Sequence, residues 1–220
     1  RVVTTIKATM ENGNQTKTQI SSDDKTKVVW TKGDAIKVFV HGESDYTGVK
    51  YTAATGGSKD SDFNYAGDDT APSYTEGETW YHLYPYSDNA SFDTTSGFST
   101  TLPDEQTAVA GSFAEEYFIA VGQGDVSVSF KNVCSGVYFS TDRSDVAKVT
   151  LTSNDNTPLA GAFTVAFEGD YPTNFTSAGT KTSVTFTPPT GSTTFTKDAK
   201  YYLVTLPGTH AQGVTFTLVT

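Results

Sequence analysis

Three histidines and one cysteine are the side chains of this sequence best suited to making and breaking bonds: His41, His82, His210 and Cys134. A histidine works as a general base only when a nucleophile and an orienting partner stand within hydrogen-bond reach. These three are far apart in sequence, and none sits in an H-x-x-x-H or C-x-x-C pattern, so no zinc site is expected. His82 lies within Trp80-Tyr81-His82-Leu83-Tyr84-Pro85-Tyr86. Alternation sets it on one face with Trp80, Tyr84 and Tyr86, which predicts a histidine packed among aromatics. His41 and His210 stand near glycines in turn-like stretches, where solvent exposure accounts for them. Cys134 lies between Phe130 and Val137 without a helix N-terminus or a cation to stabilise a thiolate, so a buried, unreactive thiol is expected.

The carboxylates lead no further. Asp23-Asp24, Asp68-Asp69, Asp104-Glu105 and Glu115-Glu116 are adjacent in sequence. Neighbours on a strand point to opposite faces, so such pairs do not converge as a general acid and base. Ser153-Asn154-Asp155-Asn156 offers oxygen ligands but lacks the Asp-x-Asx-x-Asx-Gly spacing of a calcium loop, and it reads as a turn. The expectation is a protein that is not an enzyme, with no catalytic residues, no metal and no cofactor.

Recognition chemistry leaves two candidates. Lys32-Gly33-Asp34, inside WTKGDAIKVFV, has the form of an adhesion tripeptide. Its flanks are β-branched or aromatic on one side, while Ile36, Val38 and Val40 alternate with Lys37 and Phe39 on the other. This is the period of a strand with one buried face, and Gly-Asp suits a tight hairpin turn. The second candidate is the aromatic run at Trp80, Tyr81, Tyr84 and Tyr86. It either stacks on sugar rings or fills a core, and aromatics on both faces of the strand favour the core.

The elements that must position these residues are strands. Apolar residues make up 36% and charged residues 18% of the 220, which excludes a disordered chain. No apolar run approaches the ~20 residues of a spanning helix. The formal charge is −10, and no basic patch is present to displace counterions, which excludes nucleic acid and disfavours anionic membranes. A single cysteine allows no internal disulfide. The chain begins at Arg1 within a strand-like pattern, so any export signal is expected to have been removed.

RVVTTIKATM sets Val2, Ile6, Ala8 and Met10 on one face as a first strand, and a polar, turn-rich stretch follows. SFDTTSGFSTTLPDEQTAVAGSF reads as a long connection, and EEYFIAV as a buried strand. Gly122-Gln123-Gly124-Asp125 breaks the pattern and places a domain boundary there, giving 1–123 and 124–220. Beyond it DVSVSFKN, SGVYFST, AKVTLTS, GAFTVAF, TSVTFTP, AKYYLVTLP and VTFTLVT are short strands at near-regular spacing, which predicts a β-sandwich. The fold class expected is all-β, with two β-sandwich domains in tandem.

Five stretches, in order, carry a resemblance. VVWTKGDAIKVF, WYHLYPY, TLPDEQTAVAGSF, SVSFKNVCSGVYFS and KYYLVTLPG resemble the fimbrillin-like (FimA/Mfa-type) pilins and fimbrial adhesins of Bacteroidetes. The likeness lies in their joint order across nearly the whole chain. It implies transthyretin-like sandwiches, export as a lipoprotein and display at the outer-membrane surface in a fimbrium. It also implies polymerisation by strand exchange with other fimbrial subunits, adhesion to host or bacterial surface ligands, and contact with membrane only through a removed lipid anchor. The exchangeable strand is then the one carrying Val2, Ile6, Ala8 and Met10. A non-polymerising surface glycan-binding protein is the alternative. In two respects the chain departs from the family. No arginine stands between Arg1 and Arg143 for the usual cleavage, so either a different protease cuts in the loop of Lys17, Lys25 and Lys27 or the chain is not cleaved. And VTFTLVT is followed by no closing segment, so the C-terminal sandwich is expected to lack its last strands.

Overall fold

The computed structural model describes residues 1–11, 19–20, 28–42 and 45–220. Among them the only helical element is one 3-10 turn at Glu115–Tyr117, and all else regular is strand. The first ten strands are β1 (Thr5–Met10), β2 (Gln19–Ile20), β3 (Val28–Val29), β4 (Ala35–His41), β5 (Tyr46–Ala53), β6 (Asp60–Tyr65), β7 (Trp80–Tyr84), β8 (Ser91–Asp93), β9 (Gly97–Leu102) and β10 (Glu105–Thr107). The others are β11 (Ala120–Gly124), β12 (Ser127–Asn132), β13 (Ser135–Phe139), β14 (Lys148–Ser153), β15 (Gly161–Glu168), β16 (Tyr171–Ser177), β17 (Ser183–Thr187), β18 (Tyr201–Thr205) and β19 (Val214–Val219). The protein is all-β.

The chain forms two compact units. One comprises Arg1–Thr100, Ile119–Val133 and Thr164–Phe175, the other Thr101–Phe118, Cys134–Phe163 and Thr176–Thr220. The division crosses the chain five times, at points that include β9, β15 and β16, where the sequence suggested a single cut after residue 123. Gly124 at that cut is the last residue of β11, paired with Trp80 on one side and Val128 on the other. Gly-Gln-Gly weakens a strand, yet ladder bonds from both neighbours hold it.

In the first unit seven strands close into a barrel, in the order β1-β12-β11-β7-β4-β5-β6. An open sandwich was expected here. Closure comes from β1, which lies antiparallel to β6 and parallel to β12, so neither of those strands is left as an edge. The interior is filled by Ile6, Met10, Ile36, Tyr51, Phe63, Trp80 and Phe130 around Trp30. Trp30 is fully buried and meets Phe63, Tyr84 and Phe130 edge-on, with ring centroids 4.8, 5.2 and 5.5 Å apart. Such edge-to-face contacts place positive ring edges on negative ring faces.

β4 is buried on both faces, including Lys37 and Phe39, where alternation predicted one exposed face. A four-stranded sheet in the order β16-β15-β9-β8 supplies the cause, because Phe92 and Phe98 from β8 and β9 pack on Phe39. β8, β9 and β10 fall in the stretch expected to be a connection. Their Ser, Thr and Gly content hides the period, since polar β-branched residues suit strands and loops alike.

In the second unit β10-β17-β14-β19 form one sheet and β13-β18 another. Val149, Leu151, Val184 and Phe186 from the first share a core with Phe139, Tyr201 and Leu203 from the second. All seven strands expected after residue 124 are present. β16, whose second residue is Pro172, was not expected. It stands at the end of its sheet, where a missing ladder donor costs least.

Candidate functional site

The first strand is paired on both sides and buried on its apolar face. Ile6, Ala8 and Met10 are each no more than 2% exposed, and Ile6 sits opposite Phe63 in the ladder. On the outer face Thr5 donates a hydrogen bond to Asn64 (3.1 Å) and Thr9 to Asp60 (2.7 Å). The Asp60 carboxyl, paired first with Lys59 and then with Thr9, is held below the usual carboxylate range. Tyr51 anchors the entry to the strand by donating its hydroxyl to the Val3 carbonyl at 2.7 Å, and burial pushes that phenol far up.

Val2 does not join this face. It is 53% exposed, and Val3 turns inward at 2%. The ladder with β6 begins only at Thr5, while Val2 bridges Ser73 and Val3 donates to the Pro72 carbonyl at 2.8 Å. That separate pairing breaks the alternation ahead of β1. Lys17, Lys25 and Lys27 lie outside the described residues.

β19 is its counterpart in the second unit. It pairs only with β14, at the end of the sheet. Phe216 and Leu218 lie opposite the buried Leu151 and Val149, yet each remains about 40% exposed. Val214 and Val219 are exposed to a similar degree. An edge strand with unpaired donors and acceptors and uncovered apolar side chains is a template for another strand.

The Lys32-Gly33-Asp34 tripeptide is not an adhesion ligand in this fold. Asp34 is buried, accepts the Thr31 amide at 2.8 Å and receives the Tyr84 hydroxyl at 3.3 Å. A ligand aspartate must reach solvent. The turn itself is present: Asp34 N donates to Thr31 O at 3.0 Å, and Gly33 has φ +94°, as the third residue of a type II turn requires. It is not a hairpin, because β3 pairs with β2 while β4 pairs with β5 and β7.

Tertiary structure brings together one set of groups that sequence spacing kept apart. Ser153 donates to Asp155 at 2.7 Å and lies 3.1 Å from His210 Nδ1, and that same nitrogen is 3.8 Å from Asp155. A catalytic triad uses the two imidazole nitrogens separately, one for the nucleophile and one for the acid. Here the serine proton goes to the carboxylate. Asp155 also accepts the amides of Thr157 (3.1 Å) and Gln212 (3.4 Å), and this set of donors, Ser153 first, drives its pKa far down. The arrangement ties the 153–157 turn to the 208–213 loop. It accounts for His210, half-buried where exposure was expected.

His82 packs against Phe130 inside the barrel, with no hydrogen-bond partner at either ring nitrogen. Burial lowers its pKa to about 3, against a smaller opposing pull from Asp125. Cys134 is buried. Lys37 is the polar group that sequence patterning missed. Its ammonium donates to the carbonyls of Ser87 (3.0 Å), Asp88 (2.9 Å) and Ala90 (2.9 Å), which fastens the loop after β7, and burial pulls its pKa down. Among the described residues no group of three or more His, Cys, Asp or Glu is placed to hold a metal ion.

No family model matches this sequence, nor does any curated protein. Two solved structures do match the fold, both provisionally assigned as cell adhesion proteins. One, from Bacteroides uniformis, aligns with a TM-score of 0.56 at 14% identity over 98% of this chain and 78% of its own. The other, from Bacteroides ovatus, aligns with a TM-score of 0.54 at 15% identity over 98% of this chain and 82% of its own. The likeness is one of fold.

Proposed function

We propose that this protein is a structural or adhesive subunit of a cell-surface fimbria, assembled by strand exchange. The observation that carries the proposal is the position of β1. It is paired on both sides, to β6 and β12, and its apolar face is buried, yet it forms a hairpin with neither. Such a strand can leave without unravelling a neighbour. Its departure would uncover Phe63, Val128 and Phe130, and would leave two strand edges unpaired. Burial of each large apolar side chain is worth roughly 1.5–3 kcal/mol, so a foreign strand of matching pattern would be drawn into the slot. β19, uncovered at its own edge, has that pattern.

The fold shared with two proteins provisionally assigned to cell adhesion supports an adhesive role. On this reading the precursor is a lipoprotein of the outer membrane, its two units are transthyretin-like sandwiches modified by barrel closure, and its partners are other subunits and surface ligands. No step requires catalysis or a cofactor. The test is to treat the full chain with a lysine-specific protease and run it unboiled. A ladder of discrete oligomers, suppressed by excess peptide of the sequence 1–11, is expected. A cleaved chain that stays monomeric with its barrel closed would overturn strand exchange and leave the alternative, a non-polymerising glycan-binding protein. That second reading is favoured by one observation, an aromatic pair left partly open on the barrel's outer face.

A further inference from the structure

Tyr81 alternates with Trp80 and His82 on β7, so it points out of the barrel where they point in. Outside, it stacks on Phe92 with centroids 3.8 Å apart and planes inclined by 21°. Phe98 stands edge-on to Phe92 at 5.0 Å, and Phe167 edge-on to Phe98 at 5.8 Å. Phe98 is buried and completes the packing of β9 on the barrel. Tyr81, Phe92 and Phe167 remain partly open.

Beside them is a cavity of about 320 Å³, at the lower end of the roughly 300–1,000 Å³ of small-molecule sites. Gly97 lines it. A side chain there would meet the Val165 carbonyl at 2.1 Å, and φ is +78°, so only glycine lets β9 lie this close to β15 at the cavity wall. The remaining lining is polar. Asp93 accepts the amides of Thr95 (2.8 Å) and Ser96 (2.7 Å) and the Ser96 hydroxyl, which hold it below the usual carboxylate range and fix it in place. The Gln123 amide nitrogen donates to the Gly169 carbonyl, which leaves its oxygen to accept. Thr79 adds an exposed hydroxyl.

A pyranose ring needs this combination: an aromatic surface for its C–H face and fixed acceptors for its hydroxyls. No Lys, Arg or His lines the cavity, and Asp93 would repel a carboxylate or sulfate. We propose that this cavity binds a neutral hexopyranose unit of a surface glycan, set against the partly exposed Tyr81 and Phe92 rings that line it, with its hydroxyls donating to Asp93 and Gln123. The proposal deepens the adhesive part of the function above and rests on it, but its test involves no assembly.

The test is titration calorimetry with saturation-transfer NMR on the full chain. The probes are neutral trisaccharides of glucose, galactose and mannose, with sialyllactose as the acidic control. At least one neutral trisaccharide should bind, with saturation strongest on ring C–H protons, and sialyllactose should not. Thr94→Arg, at an exposed position on the cavity wall, should weaken binding at least about tenfold with an unchanged Tm. Tyr81→Leu should do the same, and if that variant does not fold, Thr94→Arg decides alone. Absence of binding by all three neutral probes, an unchanged affinity in folded Thr94→Arg, or tighter binding of sialyllactose would overturn the proposal. Any of these results would leave the protease-ladder test of strand exchange untouched.

Discussion

β1 and β19 are both six residues long, and both set three apolar side chains on one face with mostly polar ones between them. Ile6, Ala8 and Met10 are sealed inside a barrel, while Phe216 and Leu218 stand about 40% exposed. The difference is in the neighbours. β1 has one on each side and closes a sheet around its apolar face, whereas β19 has only β14. Alternation equips a strand to be buried, and the number of partners decides whether it is. In the barrel the pairing leaves no edge. In the second unit it leaves an edge that would gain both backbone bonds and apolar contact from one more strand.

The comparison breaks first at Ile6. Ile6→Ala should destabilise the first unit by about 2–5 kcal/mol, as expected when a large aliphatic side chain is cut from a packed interior, measured by urea denaturation. A loss below about 1 kcal/mol would mean that β1 is only loosely seated and that the contrast with β19 is overstated.

Next comes acid. His82 is neutral in the fold with a pKa of about 3, against about 6.5 in an unfolded chain. Between these values the unfolded chain binds more protons, so stability falls as pH drops, with a slope of up to about 1.4 kcal/mol per pH unit. The contribution is fully present above pH 6.5. His82→Leu should flatten that slope in the first unit, and melting curves from pH 7 to 4 would decide it. An unchanged slope would show that His82 is not the titrating group.

Smallest of the three is Phe216→Thr. Its monomer stability should change by about 1 kcal/mol or less, since the ring is already partly in water. The same variant should weaken the oligomer ladder, which separates a role in assembly from a role in folding. A large loss of monomer stability would mean that β19 is part of the core after all.

Some of this was legible in the sequence. The burial of Ile6, Ala8 and Met10, the turn at Gly33 and the packing of His82 among aromatics all follow from alternation and from the conformational freedom of glycine. Lys37 was misplaced, because alternation on β4 cannot say that a second sheet will cover the other face. Lys-Gly-Asp read as a turn from its flanks, but only the bonds of Asp34 to Thr31 and Tyr84 show that its carboxylate is used internally. The Ser153–Asp155–His210 cluster and the Tyr81–Phe92 stack each join residues from separate strands or loops. No spacing rule could have found them.

The sequence by itself determined that the chain is β throughout, which residues are fit to be buried, and where glycine must turn it. Period-2 alternation and local backbone sterics act within a few residues, and they are written in the order of the chain. Tertiary structure alone decided that β1 lies parallel to β12 and closes a barrel, that Val3 rather than Val2 faces inward, and that β19 is left at an edge. Partner choice is a competition among strands that share one pattern. It is settled by which complete set of pairings buries most apolar surface and leaves fewest backbone groups unpaired.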